Sequence, residues 1–188
     1  MKKLIVLCDL DDVLWVLMPY WVNELNLKHG LSLCEKDITE WNMVNFYPTL
    51  TKSEVFAPIV QKGFWEKVEP ALYGEWFVNK ILSDGHVLKI VTASFYQNLS
   101  TKMDRLFKVY PKIKWKDVVI TSDKQLIKWD VLIDDRADNL IGGDYHKILI
   151  NKPHNHKVDA ESYEIVRVCN LKEAYSEINK LINREETA

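Results

Sequence analysis

Cysteine is scarce, with only Cys8, Cys34 and Cys169 in 188 residues. An odd number without CxxC spacing argues against a disulfide framework or a structural zinc site and favours a cytoplasmic location. Excess charge of one sign is also lacking. Lys plus Arg at 25 against Asp plus Glu at 27 leaves a formal charge of -2, so bulk electrostatics attract neither a nucleic-acid polymer nor a membrane surface. No segment approaches the roughly 18 consecutive apolar residues of a membrane span, and no internal repeat or low-complexity tract is evident.

What is present is a globular composition, 47% apolar and 11% aromatic, in a chain long enough for one ordinary domain or one domain carrying an insertion. The run Leu4-Ile5-Val6-Leu7-Cys8 imitates the apolar part of a signal peptide. Asp9 interrupts it and no small-residue cleavage site follows, so it reads as a first, buried strand. At its end stands Asp9-Leu10-Asp11-Asp12-Val13-Leu14, a sudden group of carboxylates. In open α/β sheets the ligand crevice lies outside the carboxyl ends of strands, which is where these acids fall.

Val13, Leu14, Leu17, Trp21 and Leu25 then recur at helical spacing, with Lys28, His29 and Gly30 as the exit and Pro19 as an obstacle that either kinks the helix or starts a second one. From Gly30 to about Gly74 no strand alternation occurs. Asp37-Ile38-Thr39-Glu40 and Thr51-Lys52-Ser53-Glu54 both have capping-box form, and Gly63 would close the helix begun by the second. Trp15, Trp41, Phe46, Tyr47, Phe56, Phe64 and Trp65 fall in or beside this stretch, which predicts a small helical insertion with an aromatic face.

Pro70 is expected to open a helix with Leu72, Trp76, Phe77 and Ile81 on its face, followed by a strand over residues 86–93. Leu99, Met103, Leu106, Phe107 and Tyr110 mark the next helix. Val118–Thr121, Asp130–Ile133 and Lys147–Ile150 are three more strands, and Asn170 caps a final helix with Tyr175, Ile178, Leu181 and Ile182 inward. Strands alternating with helices give the α/β class: a Rossmann-like three-layer αβα sandwich with a mostly parallel sheet, plus a small helical cap inserted after the first strand. The implied division is residues 1–14 and 75–188 as the core and 15–74 as the cap.

Several predicted strand ends carry polar residues: Asp9 and Asp11, then Thr92, then Asp134-Asp135, with Lys124 ten positions before Asp134. Carboxylates gathered in one crevice repel one another unless a cation sits among them, and an oxygen-only ligand set suits Mg²⁺ completed by a phosphate oxygen. A hydroxyl and an ammonium supply the other half of a phosphate site. Asp9 and Asp11, two apart in an extended strand, point to the same side. One can then attack phosphorus while the other moves the proton.

Asp9-Leu10-Asp11-Asp12-Val13-Leu14, Val91-Thr92, Lys124 and Ile133-Asp134-Asp135 resemble the four ordered motifs of the haloacid dehalogenase (HAD) superfamily of phosphatases. Within it, Thr121-Ser122-Asp123-Lys124, the run Asp130 to Asp135, and Gly63-Phe64-Trp65 with Glu69-Pro70 resemble the 5'(3')-deoxyribonucleotidase family over roughly residues 4–155. The resemblance implies Asp9 as nucleophile and Asp11 as general acid/base. Mg²⁺ would be held by Asp9, the Asp11 backbone carbonyl and Asp135, with Asp134 supporting. Thr92 and Lys124 would hold the phosphate, and Phe64 and Trp65 would stack a base under the cap. The implied partner is a small phosphomonoester, a nucleotide, and a homodimer is left open. Asp12 replaces a common glycine, Ala93 a common serine and Ser122 a basic residue.

Plainer alternatives stand beside these. Asp9 with Asp11, or Asp134-Asp135, could end a strand in a solvated turn; Lys116 and Lys128 compete with Lys124; Phe64 and Trp65 could be packing. His154-Asn155-His156 suggests a metal pair, although surface histidines fit a loop after Pro153 better. Cys8 fits a small buried apolar residue, and Arg136 either neutralises the acids or lies on the surface. At the level of function, a sugar phosphate or other small phosphomonoester is the competing substrate. A receiver-like domain that binds Mg²⁺ and phosphate without turnover is the competing class.

Overall fold

The computed structural model describes residues 3–186. Six strands form one sheet: β1 (Ile5–Cys8), β2 (Val87–Thr92), β3 (Val118–Ile120), β4 (Val131–Asp134), β5 (His146–Ile150) and β6 (Ile165–Val168). Their order is β3-β2-β1-β4-β5-β6 and every pairing is parallel. The chain steps outward from β1 in one direction and then, from β4, in the other. The carboxyl ends of β1 and its two neighbours therefore frame the switch-point crevice of a doubly wound sheet.

The strands are apolar on both faces because both faces are covered. Val6, Cys8, Ile90, Ile133, Ile148 and Ile150 belong to a large apolar cluster on one side, while Leu7, Val91, Leu132, Leu149 and Ile165 belong to a smaller one on the other. This is the period-two alternation of a strand. On the larger side pack α4 (Gly74–Ser83), α5 (Leu99–Val109) and α7 (Leu171–Glu186); the smaller side is covered by the short α6 (Ala137–Leu140) and by turns carrying Ile127, Trp129 and Val158. The third layer is thus mostly irregular chain. No helix among the described residues is long and apolar enough to cross a membrane.

Between β1 and α4 the chain makes the expected helical excursion, with α1 (Leu17–His29), α2 (Lys52–Val60) and α3 (Phe64–Lys67). Its entry and exit are pinned together: Val16 N donates to Glu69 O at 2.9 Å, Ala71 N donates to Leu14 O at 2.8 Å, and Trp15 bridges Pro70. Tyr110 at the end of α5 adds a buried hydroxyl bond to the same Leu14 carbonyl at 2.8 Å.

Local details differ from the periodicity. Helix α1 begins at Leu17 rather than Val13, because residues 10–15 form tight turns with Leu14 N and Trp15 N both donating to Leu10 O. Pro19 thereby falls in the first turn, where its missing N–H costs nothing. Gly30, with φ of 66°, closes the helix in the left-handed conformation. The Thr51–Glu54 capping box forms. The Asp37–Glu40 box does not start a helix: Asp37 instead accepts from Cys34 N at 2.7 Å and closes a single turn over Glu35–Asp37. Helix α2 stops at Val60, and Gly63 precedes α3 instead of ending α2.

Pro70 lies in the pinned neck, so α4 starts only at Gly74 and its buried face is Phe77, Val78 and Ile81. Leu72 is exposed, and Trp76 turns outward against Tyr175 and Lys172. β6 was not expected; Ile165-Val166-Arg167-Val168 is too short and too interrupted by charge to stand out.

At the amino end of β2, buried His86 accepts from Leu4 N through Nδ1 at 3.2 Å. Burial, opposed by Asp84, holds its pKa below the ordinary histidine value of 6.5. The unfolded chain therefore binds the proton more readily, and the stability contributed by neutral His86 is lost as pH falls below about 6.5. His86→Asn, which keeps an acceptor and does not titrate, is expected to show a smaller loss of unfolding free energy between pH 7 and pH 5 in urea titrations.

Candidate active site

The backbone gathers the acids before any side chain acts. Asp9 N donates to Ile133 O at 2.9 Å, which extends the β1–β4 pairing by one residue and sets Asp9 beside Asp134 and Asp135. Asp9, Asp134 and Asp135 are all buried, and each offers a carboxylate oxygen within 4.8 Å of the others. Lys124, only 2% exposed, lies between them, its Nζ 2.7 Å from Asp9 Oδ1 and 2.7 Å from Asp134 Oδ2. Burial depresses its pKa, but Asp134 and Asp9 outweigh that and hold it above the usual lysine value. Lys124 is thus a fixed cation.

Asp134 is fully committed inside the protein. It accepts from Lys124, from Arg136 N at 2.9 Å and from Asn139 Nδ2 at 3.1 Å on both oxygens. Asp135 is not. Its backbone carbonyl accepts from Asn155 Nδ2 at 2.7 Å, whereas Oδ1 has no hydrogen-bond partner among the described residues. Oδ2 has His154 Nε2 at 2.9 Å, an ion-pair distance without hydrogen-bond geometry. Burial, followed by the charge of Asp134, pushes the Asp135 carboxyl well above the usual range. Burial also raises Asp9, which Lys124 pulls down while Asp134, Asp135 and Asp11 push it further up. An orphaned buried carboxylate oxygen beside two other hard oxygen donors is the chemistry of a divalent cation site, and a cation there would relieve all three acids. The residues present fit Mg²⁺.

His154 and Asn155 occupy a single turn over Pro153–Asn155. Asn155 is clamped by Arg167 of β6, whose Nη1 donates to Asn155 Oδ1 at 2.6 Å and whose Nη2 donates to Asn155 O at 3.1 Å. His154 is buried against Asp135, contrary to the surface position expected; the turn after Pro153 folds it inward, while His156 stays exposed. Burial holds the His154 pKa below its ordinary value.

Asp12 is also buried. It takes a left-handed backbone, φ 53°, and accepts from Met18 N at 3.1 Å, with Lys152 Nζ at 3.8 Å. Burial, against the pull of Lys152, raises it to about 7. It braces the turn into α1.

Asp11 faces another way. Its Oδ2 pairs at 2.6 Å with Lys102 Nζ, which also donates to Thr92 Oγ1 at 2.9 Å and Ala93 O at 3.2 Å. Both Asp11 and Lys102 line a cavity of about 310 Å³, within the size range of small-molecule sites. Its walls are largely apolar, with Trp21, Trp41, Phe56, Trp65 and Phe95 among them and Ser94, Asn98 and Arg136 as polar members. Trp65 and Asn98 both donate to Ile59 O, at 2.9 and 2.8 Å, tying the excursion to the loop after β2.

Of the predicted base-contacting pair only Trp65 reaches the cavity. Phe64 is buried behind it, edge-on at 5.4 Å, because adjacent positions on a helix point about 100° apart. Arg136 turns away from the acids, pairing with Asp138 and lying 5.1 Å over Trp41. Cys8 is fully buried, and burial raises its thiol pKa.

Lys102 had no place in the motif reading. The available signal was a lysine three residues after Leu99 and four before Leu106, in the middle of an apolar helical stripe. Lys124→Met is expected to cost about 3–5 kcal/mol of stability, since it strands Asp9 and Asp134 without their buried cation; urea unfolding at pH 7 without added metal checks this.

The sequence and the fold have known relatives. The family model described as "5' nucleotidase, deoxy (Pyrimidine), cytosolic type C protein" matches residues 3–185. A 5'(3')-deoxyribonucleotidase of Bacillus subtilis is 31% identical over 175 residues, covering 92% of this chain and 96% of that one. One from Clostridium acetobutylicum is 25% identical over 147 residues, 78% and 81% of the two chains.

Among solved structures, a haloacid dehalogenase-like hydrolase from Streptococcus pneumoniae superposes with a TM-score of 0.65 at 14% identity, over 94% of this chain and 98% of that one. A HAD family hydrolase from Deinococcus radiodurans, solved with bound phosphate and sodium, gives 0.63 at 15% identity, over 95% and 96%. These two carry the fold. The family match spans nearly the whole sequence, and the chain belongs to the 5' nucleotidase, deoxy (pyrimidine), cytosolic type C protein family.

Proposed function

We propose that the protein is a Mg²⁺-dependent nucleotidase that removes the phosphate of (deoxy)nucleoside 5'- or 3'-monophosphates through an aspartyl-phosphate on Asp9. Family membership makes it a phosphoric monoester hydrolase; the substrate, metal and residue roles are our reading. The observation that carries it is the junction of two unlike environments. Buried acids with Lys124 stand at the strand ends, and next to them Asp11 and Lys102, the latter bonded to Thr92, open onto a cavity rich in aromatic residues. One end suits a phosphate, and the other an apolar, flat group such as a base.

In this reading Asp9, Asp135 and the Asp11 carbonyl hold Mg²⁺, with Asp134 supporting them. The bound ion supplies positive charge against the phosphate and the acid cluster. Asp9 attacks phosphorus in line, a P–O bond forms to its carboxylate, and the bond to the leaving oxygen breaks as Asp11 gives that oxygen a proton. Water then attacks the phosphorus of the acyl-phosphate, Asp11 takes its proton, and phosphate leaves Asp9 free. Thr92 and Lys124 hold the non-bridging oxygens. Residues 15–74 act as the cap. Trp65, backed by Phe64, stacks the base, an interaction worth about 1–3 kcal/mol.

Asp9→Asn is expected to abolish phosphate release while the thermal unfolding midpoint stays near that of the parent, and excess EDTA to stop the parent until Mg²⁺ is restored. Retained turnover in either case overturns the mechanism. In a panel of phosphate esters, kcat/KM for thymidine and uridine monophosphates is expected to exceed that for sugar phosphates. The reverse order would move the substrate to a sugar phosphate, and stable phosphorylation of Asp9 without release would make the protein a receiver-like binder.

A further inference from the structure

The mechanism proposed above uses Asp11 but leaves its neighbour Lys102 without a task, although Lys102 is among the most buried side chains of the molecule at 1% exposure. A lysine ammonium has three N–H bonds and no acceptor. Here each has a recipient: Asp11 Oδ2 at 2.6 Å, Thr92 Oγ1 at 2.9 Å and Ala93 O at 3.2 Å. The Trp65 ring centroid lies 4.9 Å from the same nitrogen, a cation–π distance. The ammonium therefore touches the ends of β1 and β2 and the cap together.

The two oxygens of Asp11 are consequently unlike. Oδ2 is occupied as an acceptor. Oδ1 is buried and has no hydrogen-bond partner among the described residues. Because an ammonium only donates, Oδ2 stays an acceptor and the carboxyl is held through that oxygen in one orientation.

We propose that Lys102 is a positioning residue for proton transfer: by pinning Asp11 Oδ2 to Thr92 and to the Ala93 carbonyl, it fixes the orientation in which the Asp11 carboxyl meets the leaving oxygen in the cavity. Thr92, expected to hold phosphate, and Asp11, expected to protonate the ester oxygen, are set at one fixed spacing by the same nitrogen. This inference rests on Asp11 being the general acid.

The leaving group provides a readout that a merely structural lysine would not move. A nucleoside alkoxide needs a proton to depart, whereas p-nitrophenolate does not, and kcat/KM reports steps only through departure of the leaving group. Asp11→Asn, Lys102→Met and Lys102→Gln are compared with the parent on thymidine 5'-monophosphate and p-nitrophenyl phosphate, with Mg²⁺ present. Asp11→Asn is expected to lose about 10²- to 10⁴-fold on the nucleotide and far less on the aryl ester. Lys102→Met is expected to lose about 10- to 100-fold more on the nucleotide than on the aryl ester.

Lys102→Gln, which keeps a donor, is expected to lie between Lys102→Met and the parent, and it carries the comparison if Lys102→Met does not fold. Equal losses on the two esters in the Lys102 variants, with the split intact in Asp11→Asn, overturn the positioning role. Equal losses in Asp11→Asn itself overturn the acid/base reading on which it stands.

Discussion

The arrangement depends on one electrostatic constraint: carboxylates assembled at the ends of adjacent parallel strands, out of water, must be compensated locally. Asp9, Asp12, Asp134 and Asp135 are all buried, and they cannot all ionise unaided. The protein answers with buried lysines and with backbone donors. Lys124 serves Asp9 and Asp134, Arg136 N and Asn139 serve Asp134, and Met18 N serves Asp12. What remains without a hydrogen-bond partner among the described residues is the Asp135 carboxylate, on both oxygens. The charge left over from this internal accounting is the attraction for a cation, and it lies next to the proposed nucleophile.

That constraint also explains the support behind the site. Asp135 projects from the end of β4, and its carbonyl is fixed by Asn155, which Arg167 holds from the edge strand β6. A side chain on the outermost strand thus sets the position of Asp135, two strands inward. The smaller face of the sheet has little regular helix to stiffen it, so this polar chain supplies rigidity that helix packing supplies on the other face.

The elements legible in the sequence were those with strong local causes. Buried strands announce themselves as apolar runs, and the acids that end β1 and β4 stand out because each follows such a run. The Thr51 capping box is a local device and formed as read, while the Asp37 box, equally good on paper, was taken over by Cys34 N in a tighter turn. The illegible parts depend on contacts distant in sequence. Lys102 is 91 residues from Asp11 and His154 is 19 from Asp135, and neither spacing is local. Phe64 and Trp65 look equivalent as letters, and only the packing of α3 tells which one reaches the cavity.

The two buried lysines divide the site along the line where its chemistry divides. Lys124 enters from the turn before β4 and pairs with the carboxylates of Asp9 and Asp134, on the side proposed for phosphate and metal. Lys102 enters from α5 and touches Asp11 and Thr92 while its nitrogen lies over Trp65 of the excursion after β1. A cation confined to the core can hold charge but cannot sense whether the cavity is built. One that bridges β1, β2 and the excursion can do both, because the position of the Asp11 carboxylate then depends on the same packing that shapes the cavity. In this fold the excursion after β1 therefore does more than wall the cavity: through Trp65 and Lys102 it is in contact with the group that holds Asp11.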